Sequence, residues 1–242
     1  HLILINLIKM NKLFKIYTSL INLQYWRAYL KLVSPLFELD ELVKKLGKVD
    51  NLIDVGSNKG QLSLLVRNYN KKCRIYSFEP QTKFLEIQKK LINYNIKFYD
   101  FCLGNKNFKT NFYITKRKDS SSLLKPIYFK KTKYKIIDKI NINVHKLDSI
   151  VNIKTTQKNL IKLDVQGYEM QVLMGASKLL NKIDYVIVEI STKKIYHNQI
   201  NYINILNFLS KKKFKLIKVY NKVKLKDNIY QADYFFKKLK KK

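Results

Sequence analysis

The most constraining feature of this 242-residue sequence is the stretch Asn51–Gly60, which reads Asn-Leu-Ile-Asp-Val-Gly-Ser-Asn-Lys-Gly. Its apolar residues predict a short buried strand, and Gly56 and Gly60 predict a tight turn before a helix over Gln61 to Tyr69. Glycine lets a ligand approach the backbone, and the free N–H groups at a helix start favour an anionic group. The stretch therefore indicates a ligand-binding unit, with an ordinary turn of the same shape as the alternative.

An acidic residue follows this turn at a spacing typical of nucleoside binding. Glu79 ends the next predicted strand, where a carboxylate can accept hydrogen bonds from both ribose hydroxyls, although a solvated strand-end carboxylate has the same pattern. Asp54, and the lack of a third glycine, fit a nucleoside with an amino-acid tail better than a dinucleotide. The predicted ligand is S-adenosylmethionine (AdoMet).

The third predicted strand ends at Asp100-Phe101. Asp100 is expected to accept from the adenine amino group, with Phe101 against the ring. The complete set of predicted AdoMet contacts is Asp54, Gly56, Ser57, Asn58, Gly60, Glu79, Pro80, Asp100 and Phe101.

A second strand–turn–helix unit begins at Ile161 and ends its strand at Asp164, before a helix predicted over Glu169 to Leu180. Ligands of open α/β sheets bind outside the carboxyl ends of strands, so Asp164 is expected near an acceptor hydroxyl. A hydroxyl is a poor nucleophile, and a carboxylate base or a divalent cation such as Mg²⁺ helps it to react. The catalytic candidates are Asp164, Glu169, Glu189 and His197, and the candidate metal ligands are Asp164 and Asp148.

Two of these candidates have a plain structural alternative. Capping or the helix dipole explains Glu169 equally well, and His197 has the pattern of a solvated loop histidine.

The formal net charge of +32 suggests nucleic acid or an anionic membrane surface as a partner. However, only four of the 49 basic residues are arginine, so 45 are lysine. Phosphate and base recognition favours the arginine fork, and an AT-rich coding sequence would by itself enrich lysine. A nucleic-acid partner is therefore not expected, while peripheral membrane contact stays open.

The order of predicted elements indicates one α/β domain at residues 47–242, preceded by a helical extension at residues 1–46. Phe108 to Ile114 and Ile142 to Val144 are predicted to be extended, on either side of a polar, basic loop. The extension is expected to pack on the domain, with a basic amphipathic helix on a membrane surface as the alternative. The sequence has no apolar run of about 18 residues, and its two cysteines suggest no disulfide framework, so a cytoplasmic location is expected.

Over about residues 50 to 236 the chain resembles the FkbM family of AdoMet-dependent methyltransferases. Asn105 and Gln166 depart from the family pattern, because an acid is common at both places. The motifs that carry the resemblance are Leu52 to Gly60, Phe78-Glu79-Pro80, Leu103-Gly104-Asn105, Ser120 to Leu123, Lys146 to Ser149, Lys162 to Glu169 and Val172 to Ala176.

The resemblance implies a class I methyltransferase (Rossmann-like) fold, with a mostly parallel seven-stranded sheet whose last strand is antiparallel. It also implies O-methylation of a sugar, a glycan or a small metabolite. An RNA ribose methyltransferase and a basic binding module without catalysis are the rivals. Base-amino methylation is disfavoured because the chain lacks a Pro-Pro turn, and carbon-5 cytosine chemistry because neither cysteine follows a proline.

Overall fold

The computed structural model describes residues 33, 36–92, 94–127, 133–225 and 228–239. Most of the predicted extension at residues 1–46 lies outside the described residues, which include only its last part. The helices are α1 (Asp40–Leu46), α2 (Gln61–Tyr69), α3 (Thr82–Leu91), α4 (Leu147–Ile150), α5 (Glu169–Gly175) and α6 (Tyr202–Lys211). The strands are β1 (Asn51–Val55), β2 (Arg74–Phe78), β3 (Ile96–Tyr99), β4 (Cys102–Leu103), β5 (Phe108–Thr115), β6 (Ile136–His145), β7 (Asn159–Leu163), β8 (Tyr185–Ser191), β9 (Phe214–Leu225) and β10 (Asn228–Lys238).

A seven-stranded sheet forms the centre of the molecule, in the order β3-β2-β1-β7-β8-β10-β9. The first five strands in this order, β3, β2, β1, β7 and β8, are paired in parallel. Strand β10 is antiparallel to both β8 and β9. The predicted α/β class, with a mostly parallel seven-stranded sheet and an antiparallel last strand, is confirmed.

The central strands are apolar because helices cover both of their faces. All five residues of β1 and all five of β7 are buried. Leu52 and Leu160 belong to the core that includes α1 and α2, whereas Ile53 and Ile161 belong to the core that includes α5 and α6. Since side chains alternate along a strand, Asp54, which follows Ile53, returns to the α2 face. This periodicity brings a carboxylate to the carboxyl end of a buried strand.

A smaller sheet of order β4-β6-β5 stands beside the main sheet. The segment predicted to be extended, Ile142 to Val144, does lie in a strand, but that strand, β6, is longer than predicted and begins at Ile136. The reason is tertiary, since β6 pairs along the whole of β5 from Phe108 to Thr115. The helix predicted over Glu169 to Leu180 was too long, since α5 ends at Gly175. Gly175 packs against the chain at Gly104, because a side chain there would overlap with the backbone oxygen of Gly104.

The strand order places a crevice at the carboxyl ends of β1 and β7. From β1 the chain proceeds outward through β2 and β3, and from β7 it proceeds to the opposite side through β8. Such a reversal is where open α/β sheets bind their ligands. None of the helices in the described part of the chain combines the length and the apolar character needed to cross a bilayer.

Candidate active site

A cavity of about 420 Å³ opens at this crevice. Its walls come from the ends of β1, β2, β7 and β8, from the segment between β5 and β6, and from the β9–β10 hairpin. The predicted site residues that line it are Asp54, Gly56, Ser57, Asn58, Glu79, Pro80, Phe101, Asp164 and Glu189.

The glycine turn after β1 packs directly on the chain that leaves β7. Gly56 has φ +73°, and a Cβ there would overlap with the backbone oxygen of Asp164. Only glycine meets both conditions, because other residues rarely adopt this φ and all carry a Cβ. The turn and Asp164 are therefore immediate neighbours in the same cavity.

Gly60 stands behind the turn and does not line the cavity. It has φ +81°, and a Cβ there would lie 2.8 Å from Cγ of Gln88. Gln88 uses this space to donate from Nε2 to Ser57 Oγ at 2.9 Å and to the backbone oxygen of Asn58 at 2.6 Å. Its Oε1 accepts from Ser77 at 2.7 Å. The turn is thus held by hydrogen bonds that the sequence motif did not predict.

Glu79 lies at the end of β2 with 4% of its surface exposed. Its two carboxylate oxygens accept from the backbone N–H groups of Asn58 and Gln81, each at 2.9 Å. Burial raises the pKa of Glu79 to about 7, against the effect of these two hydrogen bonds. A carboxylate has about four acceptor positions, so room remains for two donors from a ligand. Beside it, the buried Oε1 of Gln81 has no partner among the described residues.

Phe101 belongs to an aromatic wall at the same end of the sheet. Phe78 and Tyr99 stack with their ring centroids 4.5 Å apart, and Phe101 meets Phe78 edge-on at 5.8 Å. Phe78 and Phe101 line the cavity, so they give it an apolar surface beside the Glu79 carboxylate. Asp100, by contrast, is exposed and does not line the cavity.

A buried lysine, which the sequence interpretation assigned no role, lies at the centre of the acidic side of the cavity. Lys162 of β7 is the register partner of Asp54 in β1, so the two side chains share a face of the sheet. Lys162 Nζ donates to Asp164 Oδ2 at 2.8 Å, and Asp54 accepts from Ser63 Oγ at 2.7 Å. A lysine inside the apolar strand Leu160-Ile161-Lys162-Leu163 was the signal in the sequence, because a buried charge needs a partner.

The charges at this point modify one another. Burial opposes the charged form of Asp164, but the Lys162 ammonium and hydrogen bonds from neighbouring groups lower its pKa overall. Burial likewise opposes the charge on Lys162, while Asp164, Asp233, Asp54 and Glu189 together raise its pKa. Asp164 and Lys162 therefore form an ion pair inside the cavity.

Gln166 connects two acidic side chains that line the cavity, Asp164 and Glu189. Its Nε2 donates to Asp164 Oδ1 at 2.9 Å and to Glu189 Oε2 at 2.6 Å. Its Oε1 accepts from the hydroxyl of Tyr196 at 3.0 Å, and its backbone oxygen accepts from Ser122 Oγ at 2.8 Å. The amide is suited to this position because it can donate to both carboxyl groups, which a carboxylate cannot do. Burial, with the Asp164 charge, raises the pKa of Glu189 well above its usual value.

Two catalytic candidates do not line the cavity. Glu169 accepts from the backbone N–H groups of Gly167 at 2.9 Å and of Val165 at 3.3 Å, so it shapes the turn after β7. His197 is exposed on the segment that follows β8. Glu169 thus accepts from the turn before α5 and does not cap the helix, whereas the exposed position of His197 agrees with the alternative of a solvated histidine.

The proposed metal pair is not brought together. Asp148 does not line the cavity, and its carboxylate accepts from the backbone N–H groups of Lys178 and Leu179 at 3.0 and 2.8 Å. Within the described ranges there is no group of three or more His, Cys, Asp or Glu side chains arranged to hold a metal ion. The predicted divalent cation thus gains no support, and Lys162 supplies a cation next to Asp164.

Comparison with known proteins adds a domain match. A family model described as the methyltransferase FkbM domain matches residues 54–216. No curated protein matches the chain. The chain is similar to an rRNA methylase from Streptococcus thermophilus, with TM-score 0.49 and 10% identity over 85% of this chain and 97% of that chain. It is also similar to magnesium protoporphyrin IX methyltransferase from Synechocystis with bound SAM, with TM-score 0.46 and 12% identity over 83% of this chain and 78% of that chain.

Proposed function

The chain belongs to the FkbM family of AdoMet-dependent methyltransferases, and from that premise we propose that it methylates a hydroxyl oxygen of a sugar, a glycan or a small metabolite. The observation that carries the proposal is the contact between Gly56 and Asp164. It joins the nucleoside-binding turn to a carboxylate that the Lys162 ammonium keeps in its charged form.

The part of the cavity around Gly56 and Glu79, called here the donor half, has residues that suit AdoMet. Gly56 exposes its backbone to the cavity without a side chain, and Glu79 has acceptor positions for the ribose hydroxyls. The unpartnered Gln81 Oε1, buried among the described residues, needs a hydrogen-bond donor. We assign the donor half to Asp54, Gly56, Ser57, Asn58, Glu79, Pro80 and Phe101, with Gln81 as an addition.

When bound, AdoMet supplies an electrophilic methyl group on a sulfonium. Asp164 would accept a hydrogen bond from the acceptor hydroxyl, which aligns the oxygen. It would take the proton as the C–O bond forms and the C–S bond to the transferred methyl group breaks, with S-adenosylhomocysteine as the leaving group. Lys162 and Gln166 hold this carboxylate from its two oxygens. The apolar wall of Phe78 and Phe101 helps to exclude water.

A hydroxyl is favoured over an amine because of the charge arrangement. A hydroxyl must lose its proton, and an ionised carboxylate in the cavity is a suitable acceptor for it.

The two cysteines, Cys73 and Cys102, are free and buried, which supports a reducing compartment such as the cytoplasm for this reaction.

A donor-transfer screen tests the proposal. The purified protein is incubated with methyl-labelled AdoMet and with glycan, lipid-linked sugar, small-metabolite and RNA fractions, and the labelled product is identified by NMR. We expect an O-methyl group in a glycan, sugar or metabolite fraction, and loss of that label with Asp164→Asn. Label on nitrogen or carbon, or on RNA alone, would contradict the proposal.

A further inference from the structure

The hairpin of β9 and β10 carries a bulge next to the cavity. Gln231 pairs with Val223, but Asp233 pairs with Tyr220, so two residues of β9 stand opposite one residue of β10. One of the two is Asn221, whose φ is +49°. Asparagine tolerates this left-handed conformation better than most residues. Bulges of this kind commonly re-aim a side chain beside an active site.

The bulge brings Asn221 against Asp233, and both residues line the cavity. Asn221 Nδ2 donates to Asp233 Oδ2. The amide oxygen of Asn221 and the second carboxyl oxygen of Asp233, Oδ1 in both residues, are buried and have no hydrogen-bond partner within the described ranges. Asp233 is 6% exposed, so this is an unpaired carboxyl oxygen in the interior of the protein. Such a group is costly unless something pairs with it.

Their position relative to Asp164 gives the subsite a scale. Asp233 is the direct cross-strand partner of Glu189, and Glu189 already accepts from Gln166 beside Asp164. The strands β7, β8 and β10 are consecutive in the sheet. Two strand spacings, roughly 10 Å, therefore separate the backbone at the end of β7 from that of Asp233.

We propose that Asp233 and Asn221 form a second hydroxyl-binding subsite, which makes the acceptor a polyhydroxylated ring compound of the sugar class. This inference rests on the proposed hydroxyl methylation, and it separates sugars from metabolites with a single hydroxyl. One hydroxyl is held at Asp164 for methylation, and a second hydroxyl of the same ring, or of the adjoining ring, pairs with Asp233.

A hydroxyl suits this position better than a cation. Burial raises the pKa of Asp233, and the Lys162 ammonium opposes that rise. A hydroxyl both donates and accepts, so it pairs with Asp233 Oδ1 in either protonation state, which an ammonium group or a metal ion cannot do. Tyr134 and Val223 also line the cavity and add apolar surface for the face of a ring.

The test uses the compound that wild-type protein labels in the donor-transfer screen. Asn221→Gly keeps the left-handed conformation while it removes the side chain, and Asp233→Ala removes the carboxyl group. Asp138→Asn is the matched control, because Asp138 is exposed and does not line the cavity. For each variant the acceptor KM, kcat, AdoMet affinity and Tm are measured.

We expect the acceptor KM to rise about tenfold in Asn221→Gly and at least as much in Asp233→Ala. The kcat and the AdoMet affinity should change less than about threefold, because neither residue touches the transferred group. A deoxy analogue that lacks the second hydroxyl should bind wild type as weakly as the full acceptor binds Asn221→Gly. If Asp233→Ala fails to fold, Asn221→Gly decides the question.

An unchanged acceptor KM in a folded Asn221→Gly protein would overturn the subsite, even though hydroxyl methylation stands. The same conclusion follows if wild type uses a monohydric alcohol of equal size as efficiently as the polyol. Failure of the proposed function is recognisable without any variant, since wild type would then label a nitrogen, a carbon or RNA alone. In that case the subsite falls with it.

Discussion

Lys162 Nζ lies 2.8 Å from Asp164 Oδ2, and only 7% of the lysine side chain is exposed, against 28% of the aspartate side chain. The cation is therefore inside the protein while the carboxylate reaches the cavity. This arrangement keeps a charged oxygen available to an acceptor without exposing the positive charge that stabilises it.

Removal of this cation should affect both stability and pH dependence. Lys162→Met leaves the partly exposed Asp164 and the buried Asp54 without a neighbouring cation, and breaking such a pair costs up to about 3–5 kcal/mol in the free energy of unfolding. The pKa of Asp164 should rise, because burial is then unopposed by the ammonium, and the acidic limb of the pH–rate profile should move to higher pH. Urea unfolding and the pH profile of kcat measure the two effects.

An ion pair whose lysine is exposed provides the control. Lys48 Nζ lies 3.1 Å from Asp50 Oδ1, and the lysine side chain is 81% exposed. Lys48→Met should change stability by about 0–1 kcal/mol and leave the pH profile in place. Equal effects from the two lysine variants would contradict the special role of Lys162.

Asp164→Asn should separate chemistry from donor binding. The variant keeps the shape of the side chain but loses its charge, so we expect turnover to fall by roughly 10²–10⁴ while AdoMet affinity stays within a few fold. Single-turnover kinetics and calorimetry measure the two quantities. His197→Ala should retain turnover, since the histidine is exposed and lies away from the cavity lining. Near-wild-type turnover in a folded Asp164→Asn protein would remove Asp164 from the reaction.

Donor affinity should depend on pH through Glu79. Its pKa is raised to about 7 by burial, so the carboxylate that we assign to the ribose hydroxyls is protonated progressively below that pH. AdoMet binding should weaken about tenfold between pH 8 and pH 6. Glu79→Gln should bind weakly at both pH values and show a flat profile in calorimetry. A steep profile that persists in Glu79→Gln would assign the effect to another group.

The same raised pKa has a consequence for stability. The folded-state pKa of Glu79 lies above its ordinary value of 4.5, so the folded protein binds the proton more tightly than the unfolded chain does. The contribution of Glu79 therefore favours folding at low pH and is lost as pH rises from about 4.5 to about 7. In thermal unfolding, Glu79→Gln should gain in Tm relative to wild type as pH increases over this interval.

Gly56→Ala should abolish AdoMet binding and lower Tm, because the new Cβ overlaps with the Asp164 backbone and φ is +73°. Gly47→Ala is the matched control. Gly47 has φ +63° with nothing within 4 Å of the added Cβ, so only backbone strain of about 1–3 kcal/mol is expected. Differential scanning fluorimetry and calorimetry compare the two. Similar Tm losses and retained binding in both variants would show that the contact between the turn and Asp164 is unimportant.

Much of the donor half could be predicted because its signals are local. The turn at Gly56 and the acid at Glu79 follow from strand, turn and helix patterns a few residues long. The roles predicted for Asp148 and His197 gained no support, because the direction of an acid or a histidine after a strand depends on neighbours that the local sequence does not specify. Asp100 illustrates the same limit, since it follows a strand as expected and is nevertheless exposed.

The sequence by itself determined the α/β class, the buried parallel strands and the glycine turn, because hydrophobic periodicity and glycine conformation act over short stretches. Only the tertiary structure decided that Lys162 serves as the cation beside Asp164, that Gln166 joins Asp164 to Glu189, and that Asp233, a cavity-lining residue paired with Asn221 at the bulge, keeps a buried unpaired oxygen. Lys162 and Gln166 are each two positions from Asp164 in the sequence, but their burial and their partners depend on strand order and register, which also bring Glu189 and Asp233 to this place from 25 and 69 positions away (189 − 164 and 233 − 164).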